Sequence, residues 1–507
     1  MALSDHLAAV VAVLRRRPGD LLPLYLLGAA VPAIIRVVPF FAALVGYLHL
    51  RTSGRLATVQ TELADLESPP DPQTNPDAFD RWAEGLVPVF EQVLTPTMLA
   101  IGLVTVLLVI LLAAVVSPYV TAGQLAASYA RLRDERGVDA GFAGARRHWL
   151  RFLGLYLLEF LLWAVLLLGG GIAVVIAAGG LSAAGVGAVG ILVGLLVGLL
   201  LIVALAAVRA LFAFAPVAVV VDDVGVFASL SRTASFVRAY PGGALAYYVL
   251  SLGVFLGFSA LSGVLALVEI VVFPSLLGIV LLFPALDLLK TSLYGTYRGR
   301  LRPPTSPDRS LQSQVGDGLR RGWAEMVAFV RSTPGTHALV LAVGLGSFAA
   351  GWYAADPYAG VIETSIASRL EGHVPPAAAL EFFGNNWLVA ITTVYSGVAF
   401  VVPAVVSVLF NGLALGITAR LEVAPLELLA FVVPHGVIEI PAILIAGALG
   451  VSVGVDGWRT LQGRMRRATF ADRLERAFWV LVGIGILLAV AGAIEGFVSP
   501  YYYRPFL

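Results

Sequence analysis

The chain has 507 residues, of which 59% are hydrophobic and 13% charged, and its mean hydropathy is +0.91. Soluble domains use about 45–50% apolar residues, so a soluble protein is excluded, and the spans leave no room for a large soluble domain. A net charge of +1 gives no basic field for nucleic acid, and the absence of cysteine removes disulfides, thiol nucleophiles and cysteine metal sites.

The N-terminal segment MALSDHLAAVVAVLRRRPGD lacks a short apolar core followed by a small-residue cleavage site, and is read as retained. Apolar runs follow at 21–48, 98–116, 152–178, 187–215, 245–270, 272–289, 338–354, 387–418, 428–453 and 478–497. Arginine clusters at 15–17, 131–151, 298–331 and 459–476 are placed in the cytoplasm by the positive-inside rule, and the acidic stretch 51–91 outside. Six crossings then precede the linker at 298. The run 387–418 is too long for one span and is broken by Gly397 and Pro403, so it is split near Pro403. The expectation is an all-α polytopic transmembrane helical bundle of about eleven spans, six plus five. The N-terminus is placed in the cytoplasm and the C-terminus outside.

The domain boundary is set at the polar, Pro- and Ser-rich YRGRLRPPTSPDRSLQSQVGDG. It gives a six-span membrane domain 1–297, a basic cytoplasmic linker with an interfacial helix 298–335, and a five-span domain 336–507. VLRRRPG, SFVRAYPG and AFVRSTPG each precede a span, and each reads as an amphipathic helix in the interface, a bend and a turn into the bilayer. A docking site for a cytoplasmic partner is the alternative for these elbows. Among the first-half charges, Arg36, Glu159, Arg209, Glu269 and Asp287 are expected to hide in ion pairs such as Arg209 with Glu159. Gly190, Gly194 and Gly198 suggest a tight helix contact.

The stretch FVVPHGVIEIPAILIAGALG from Phe431 to Gly450 carries the most specific chemistry. Pro434 is expected to start its helix and Gly436 to thin it, while the i, i+4 spacing stacks His435 over Glu439, each satisfying the other's hydrogen bonds. A packing pair is the first reading, a polar pathway or partner site the second. A metal centre would have only Glu439, Asn411 and Glu495 to join His435, and no metal or cofactor is expected. Asn385, Asn386 and Asn411 are read as capping broken helices or bonding across neighbours, with capping favoured, and Glu495 as interfacial, with snorkelling as an alternative to function. The candidate polar cluster is therefore Asn385, Asn386, Asn411, His435, Glu439 and Glu495. GVSVG at 450–454 spells a nucleophile elbow but has no strand before it, and Lys290 is not preceded by glycine, so no phosphate loop exists. No catalytic residue is assigned.

With the Asn385–Asn386 pair, Asn411–Gly412 and the late IEGFVSP, the polar stretch resembles the stage II sporulation protein M family of integral membrane proteins over roughly 338–500. The resemblance implies that Asn411, His435, Glu439 and Pro441 form the family's central polar feature. It also implies a membrane scaffold or assembly factor; relatives in spore formers hold peptidoglycan-acting enzymes at the engulfing membrane. The first half, through LRRRPGDLLPLYLL and the segment 209–242, resembles the six-span membrane domains fused to some glycerophosphodiester phosphodiesterases, without their soluble catalytic domain. The expected function is a non-enzymatic multi-pass scaffold in the cell membrane, with the lipid bilayer and other membrane or envelope proteins as partners. The rivals are a permease-like subunit energised by a separate ATPase and an intramembrane hydrolase carrying zinc.

Overall fold

The computed structural model describes residues 2–66, 70, 74–183, 186–360 and 362–503, and no strand forms among them. The first half runs through α1 (Leu3–Arg16), α2 (Leu22–Ile35), α3 (Val37–Thr52), α4 (Arg55–Ala64), α5 (Pro76–Glu84), α6 (Val87–Val93) and α7 (Pro96–Arg131). It continues with α8 (Gly137–Ala183), α9 (Gly187–Asp222), α10 (Val226–Ala239), α11 (Pro241–Ala266), α12 (Val272–Leu277) and α13 (Phe283–Tyr297). The second half holds α14 (Leu311–Ser332), α15 (Pro334–Ala355), α16 (Ile366–Arg369), α17 (Pro375–Ser396), α18 (Val402–Leu421), α19 (Pro425–Leu461) and α20 (Arg467–Phe497).

Among the described residues ten helical segments are long and apolar enough to cross a bilayer, counting α2 with α3 and α12 with α13 as one each. The protein is an all-α polytopic bundle. α17 is not among the ten, because Glu381, Asn385 and Asn386 dilute its hydropathy. It nonetheless runs antiparallel to α20, from Ala379 against Gly496 to the Tyr395 hydroxyl on the Leu474 carbonyl at 3.4 Å, a length of about 24 Å. The chain between α17 and α18 turns at Gly397–Val401, where Phe400 and Val401 have φ of +63° and +71°. Such angles are strained for these residue types. Gly397 accommodates the turn because a Cβ there would overlap the Gly450 carbonyl. Pro403, at the second position of α18, needs no intrahelical donor.

The three Pro-Gly elbows share one backbone solution. Arg17, Tyr240 and Thr333, each preceding a proline, have φ between −148° and −131° and ψ between 46° and 71°. The proline ring drives its predecessor out of the helical region and so ends one helix where the next begins. The amphipathic helices before the bends dock on the chain itself. α1 buries Val10 and Val13, α10 buries Phe236, and α14 buries Met326 and Phe329 against α20.

In the first half, packing concentrates at the end that carries Arg131 to Arg151. Leu125, Phe152, Leu155, Phe214, Val217 and Phe236 are almost fully enclosed there, with the Phe214 ring 4.9 Å from Phe236 and 5.0 Å from Tyr247. Toward the other end the helices splay, and the most apolar windows of α7, α8 and α11 contain no buried residue. Leu103, Leu107, Phe160 and Leu168 are exposed to a surface that only lipid or another apolar body would tolerate. Gly190 and Gly194 are buried, whereas a Cβ on Gly198 would meet nothing, so the expected three-glycine seam is not continuous.

The halves touch along several elements. Glu381 of α17 accepts hydrogen bonds from Val271 N (2.9 Å) and Val272 N (2.8 Å), capping α12, and Gly384 lies against the Phe273 backbone. At the arginine-rich end Arg467 Nε donates to Asp139 at 2.8 Å and Arg136 pairs with Asp472.

α1 is held to α13 by His6, fully buried, whose Nδ1 lies 2.8 Å from Ser292 Oγ. Burial lowers the imidazole pKa below its ordinary value. The unfolded chain therefore takes up the proton first. The stability this contact supplies is complete above about pH 6.5 and declines as pH falls below it, toward the depressed folded value. We expect thermal unfolding between pH 8 and 5 to show a steeper acid loss for wild type than for His6→Gln; parallel profiles would contradict it.

Candidate functional site

α19 begins at Pro425, nine residues before the expected start, and carries both Pro434 and Pro441 in its interior. A proline cannot donate to the carbonyl four residues earlier, so Pro434 strands the carbonyl of Ala430. The Tyr502 hydroxyl donates to that oxygen at 2.6 Å, which repairs the helix from outside and ties the chain after α20 to α19. Gly436 is buried, but a Cβ there would meet only Val432 and Ile440 of its own helix, so it does not thin α19 for a neighbour.

Ten residues into this helix, nearly three turns, His435 is 5% exposed. The expected direct bond to Glu439 is replaced by contacts with α20 and the turn that follows it. His435 Nδ1 lies 3.0 Å from Ser499 Oγ, and Nε2 lies 3.8 Å from Glu495 Oε1. Helical spacing does put Glu439 beside the ring, and donor atoms of His435, Glu439 and Glu495 all fall within 4.8 Å of one another. Glu495 is 9% exposed and buried in the α19–α20 contact, because the antiparallel α20 places its last full turn against His435. Glu439 Oε2 and Glu495 Oε2 are both buried without a hydrogen-bond partner.

Glu439 also faces a cavity of about 350 Å³ between α15, α17, α18 and α19, whose polar lining includes Asn386 and Asn411. The structure thus gathers five of the six candidate residues around one site. Asn385 is exposed, and among the described residues its side chain bonds to Asn386, Nδ2 to Oδ1 at 3.3 Å. None of the three asparagines caps a helix. Asn385 and Asn386 lie in the interior of α17, and Asn411, inside α18, donates to the Ser407 carbonyl at 2.8 Å. The capping expectation fails because α17 continues for ten residues beyond Asn386.

The cavity is closed toward the arginine-rich end. Val340, Val408, Ala404 and Ala446 are buried there, and a Cβ on Gly447 would come within 2.8 Å of Val408 and 3.0 Å of Val340. Beyond this layer a second cavity of about 400 Å³ is lined by Ser452, Asp456, Arg459, Arg473 and Arg476. Ser452 donates to the Ala448 carbonyl at 2.9 Å within α19, and its flanking Gly450 and Gly454 receive the α17–α18 turn. The glycines of the GVSVG sequence therefore serve close packing.

In the first half, Arg209 Nη1 lies 3.1 Å from Glu159 Oε1. Asp287 pairs with Lys290 at 2.7 Å and accepts from the Tyr25 hydroxyl at 2.9 Å, beside a cavity of about 610 Å³. Arg36 and Glu269 remain exposed at helix junctions. Ser499 and Tyr502 were not singled out from the sequence as site residues, because nothing local distinguishes a serine or tyrosine after a span.

No curated protein and no solved structure matches the chain. Over its C-terminal third, where α15 to α20 build this polar site, residues 338–500 match the family model described as Stage II sporulation protein M.

Proposed function

We propose that the chain is a non-enzymatic multi-pass scaffold or assembly factor of the cell membrane, organising other membrane or envelope proteins. The arginine-rich helix ends and the N-terminus lie in the cytoplasm and the C-terminus outside, as the charge bias favours. One observation carries the reading: the polar cavity at Asn386, Asn411 and Glu439 is separated from the arginine-lined cavity by the buried apolar layer of Val340, Val408, Ala404 and Ala446. A polar residue set walled off in this way serves architecture better than passage. The first half, by its resemblance to the six-span domains of glycerophosphodiester phosphodiesterases, supplies a second membrane body with wide apolar faces.

The permease-like alternative draws on the same two cavities, one on each side of the layer along α19. Purification of the tagged protein from native membranes in mild detergent, with identification of stoichiometric companions by mass spectrometry, separates the two. Envelope enzymes or surface proteins are expected. A stoichiometric nucleotide-binding subunit would overturn the scaffold reading and make the layer a gate.

A further inference from the structure

Two carboxylates and one imidazole meet at the α19–α20 contact with no cation to balance them. Among the described residues neither Glu439 nor Glu495 has an arginine or lysine within ion-pair distance. Each carries one buried oxygen without a hydrogen-bond partner. Buried charge in an apolar surrounding is costly unless it is paired or bound to a metal. We propose that His435, Glu439 and Glu495 hold a divalent transition-metal ion of the zinc class, clamping α19 to α20.

The histidine is oriented for this. His435 Nδ1 lies 3.0 Å from Ser499 Oγ and Nε2 lies 3.8 Å from Glu495 Oε1. In the tautomer that donates Nδ1–H to Ser499, the Nε2 lone pair faces the carboxylate, two acceptors that a cation between them would reconcile. A hydrogen bond from the second ring nitrogen is how proteins hold a metal-binding histidine in one tautomer, and Ser499 Oγ is placed to accept it.

The distances suit the ion. Two donors about 2.1 Å from a tetrahedral zinc stand about 3.4 Å apart. The His435–Glu495 separation of 3.8 Å is close to that, and the widest gap, within 4.8 Å, closes by rotation of a glutamate side chain. One nitrogen and two oxygens suit zinc, manganese or ferrous iron rather than a thiophilic ion. Glu439 borders the cavity lined by Asn411, so water or another small ligand reaches the fourth position from there.

This goes beyond the scaffold reading and does not depend on it. The rival account is a proton on one carboxyl, which would satisfy the same oxygens with no metal. The test uses the full-length protein in detergent, stripped with a chelator and re-equilibrated with zinc chloride. Elemental analysis should find about one zinc per chain, and the unfolding temperature should rise with added zinc. Glu495→Gln should bind at least tenfold more weakly while eluting as the same monodisperse species. Ser499→Ala, which frees the ring without removing a ligand, should weaken binding about tenfold. A wild-type protein that takes up no stoichiometric zinc and gains no thermal stability would overturn the proposal, and so would Glu495→Gln binding as tightly as wild type. The wild-type titration decides the matter even where a variant fails to fold. Companion proteins are scored separately, so failure of the metal site leaves the scaffold reading standing.

Discussion

Asp20→Ala should destabilise the first half by about 3–5 kcal/mol, the range for breaking one side of a buried ion pair. Asp20 follows the first arginine-Pro-Gly elbow and is 3% exposed. Its carboxylate accepts from Gly137 N at 3.0 Å and Val138 N at 3.2 Å, satisfying donors at the start of α8 that the helix itself cannot. The same group lies 3.7 Å from Arg131 Nη1, and Arg131 is fully buried with Nε and Nη2 unpartnered. Alanine would leave the buried guanidinium with the Glu135 carbonyl at 2.9 Å and the more exposed Asp134 carboxylate at 3.9 Å, and would open the two N–H groups of α8. Against a typical net stability of about 5–15 kcal/mol, this is a large fraction.

Thermal unfolding followed by size exclusion checks it. Asp5→Ala, which removes only an exposed contact to Ala2 N, should change little. Arg131→Met added to Asp20→Ala should cost less than the sum of the two, because the stranded charge is gone. Additive effects would show that the pair does not couple.

What could be read from the sequence was whatever local chemistry determines. The three elbows were legible because a proline restricts its predecessor wherever it stands. The ten apolar segments were legible because bilayer thickness sets a length. Arg209 and Glu159 could be paired because few charges in neighbouring spans were available to each. His435 and Glu439 were placed together by helical period alone, yet that period does not say which way the ring points. Its partners, Glu495 of α20 and Ser499 just beyond it, come from a different part of the chain whose register depends on how α20 packs along α17 and α19. Asn385 and Asn386 were misread as caps for a related reason. The break in the run 387–418 falls at Gly397–Val401, where Gly450 leaves room for the turn, and the sequence before it does not announce that neighbour. The glycines show the same limit most clearly. Gly190, Gly194 and Gly198 have the spacing of a helix seam but Gly198 faces nothing, while the close contact between α15 and α18 joins helices that glycine spacing alone does not pair.

That contact yields the second large effect: Gly416→Leu should prevent the second half from folding. At the crossing of α15 and α18, a Cβ on Gly416 would overlap the Phe348 carbonyl and lie 2.9 Å from Trp352 N. One turn earlier a Cβ on Gly412 would overlap Ser347 Oγ and lie 2.8 Å from the Gly344 carbonyl. From the other side, a Cβ on Gly351 would overlap the Leu413 carbonyl. Most of these neighbours are backbone atoms, which cannot swing aside as a side-chain tip can. Small residues at such a crossing let helices approach closely where lipid supplies no hydrophobic drive, so dispersion contacts and proximity provide the association. Overpacking a core costs about 1–3 kcal/mol when side chains can adjust, and a leucine against fixed carbonyls exceeds that range. Separating α15 from α18 would also pull Asn411 and Gly412 away from Gly344 and open the cavity at Glu439. Gly346→Leu is the matched control, because a Cβ there meets nothing and the residue is exposed. Fluorescence-detected size exclusion should therefore show a monodisperse peak for Gly346→Leu and aggregate for Gly416→Leu. Equal behaviour would mean that the helices do not cross at these glycines, and the cavity they enclose would lose its wall.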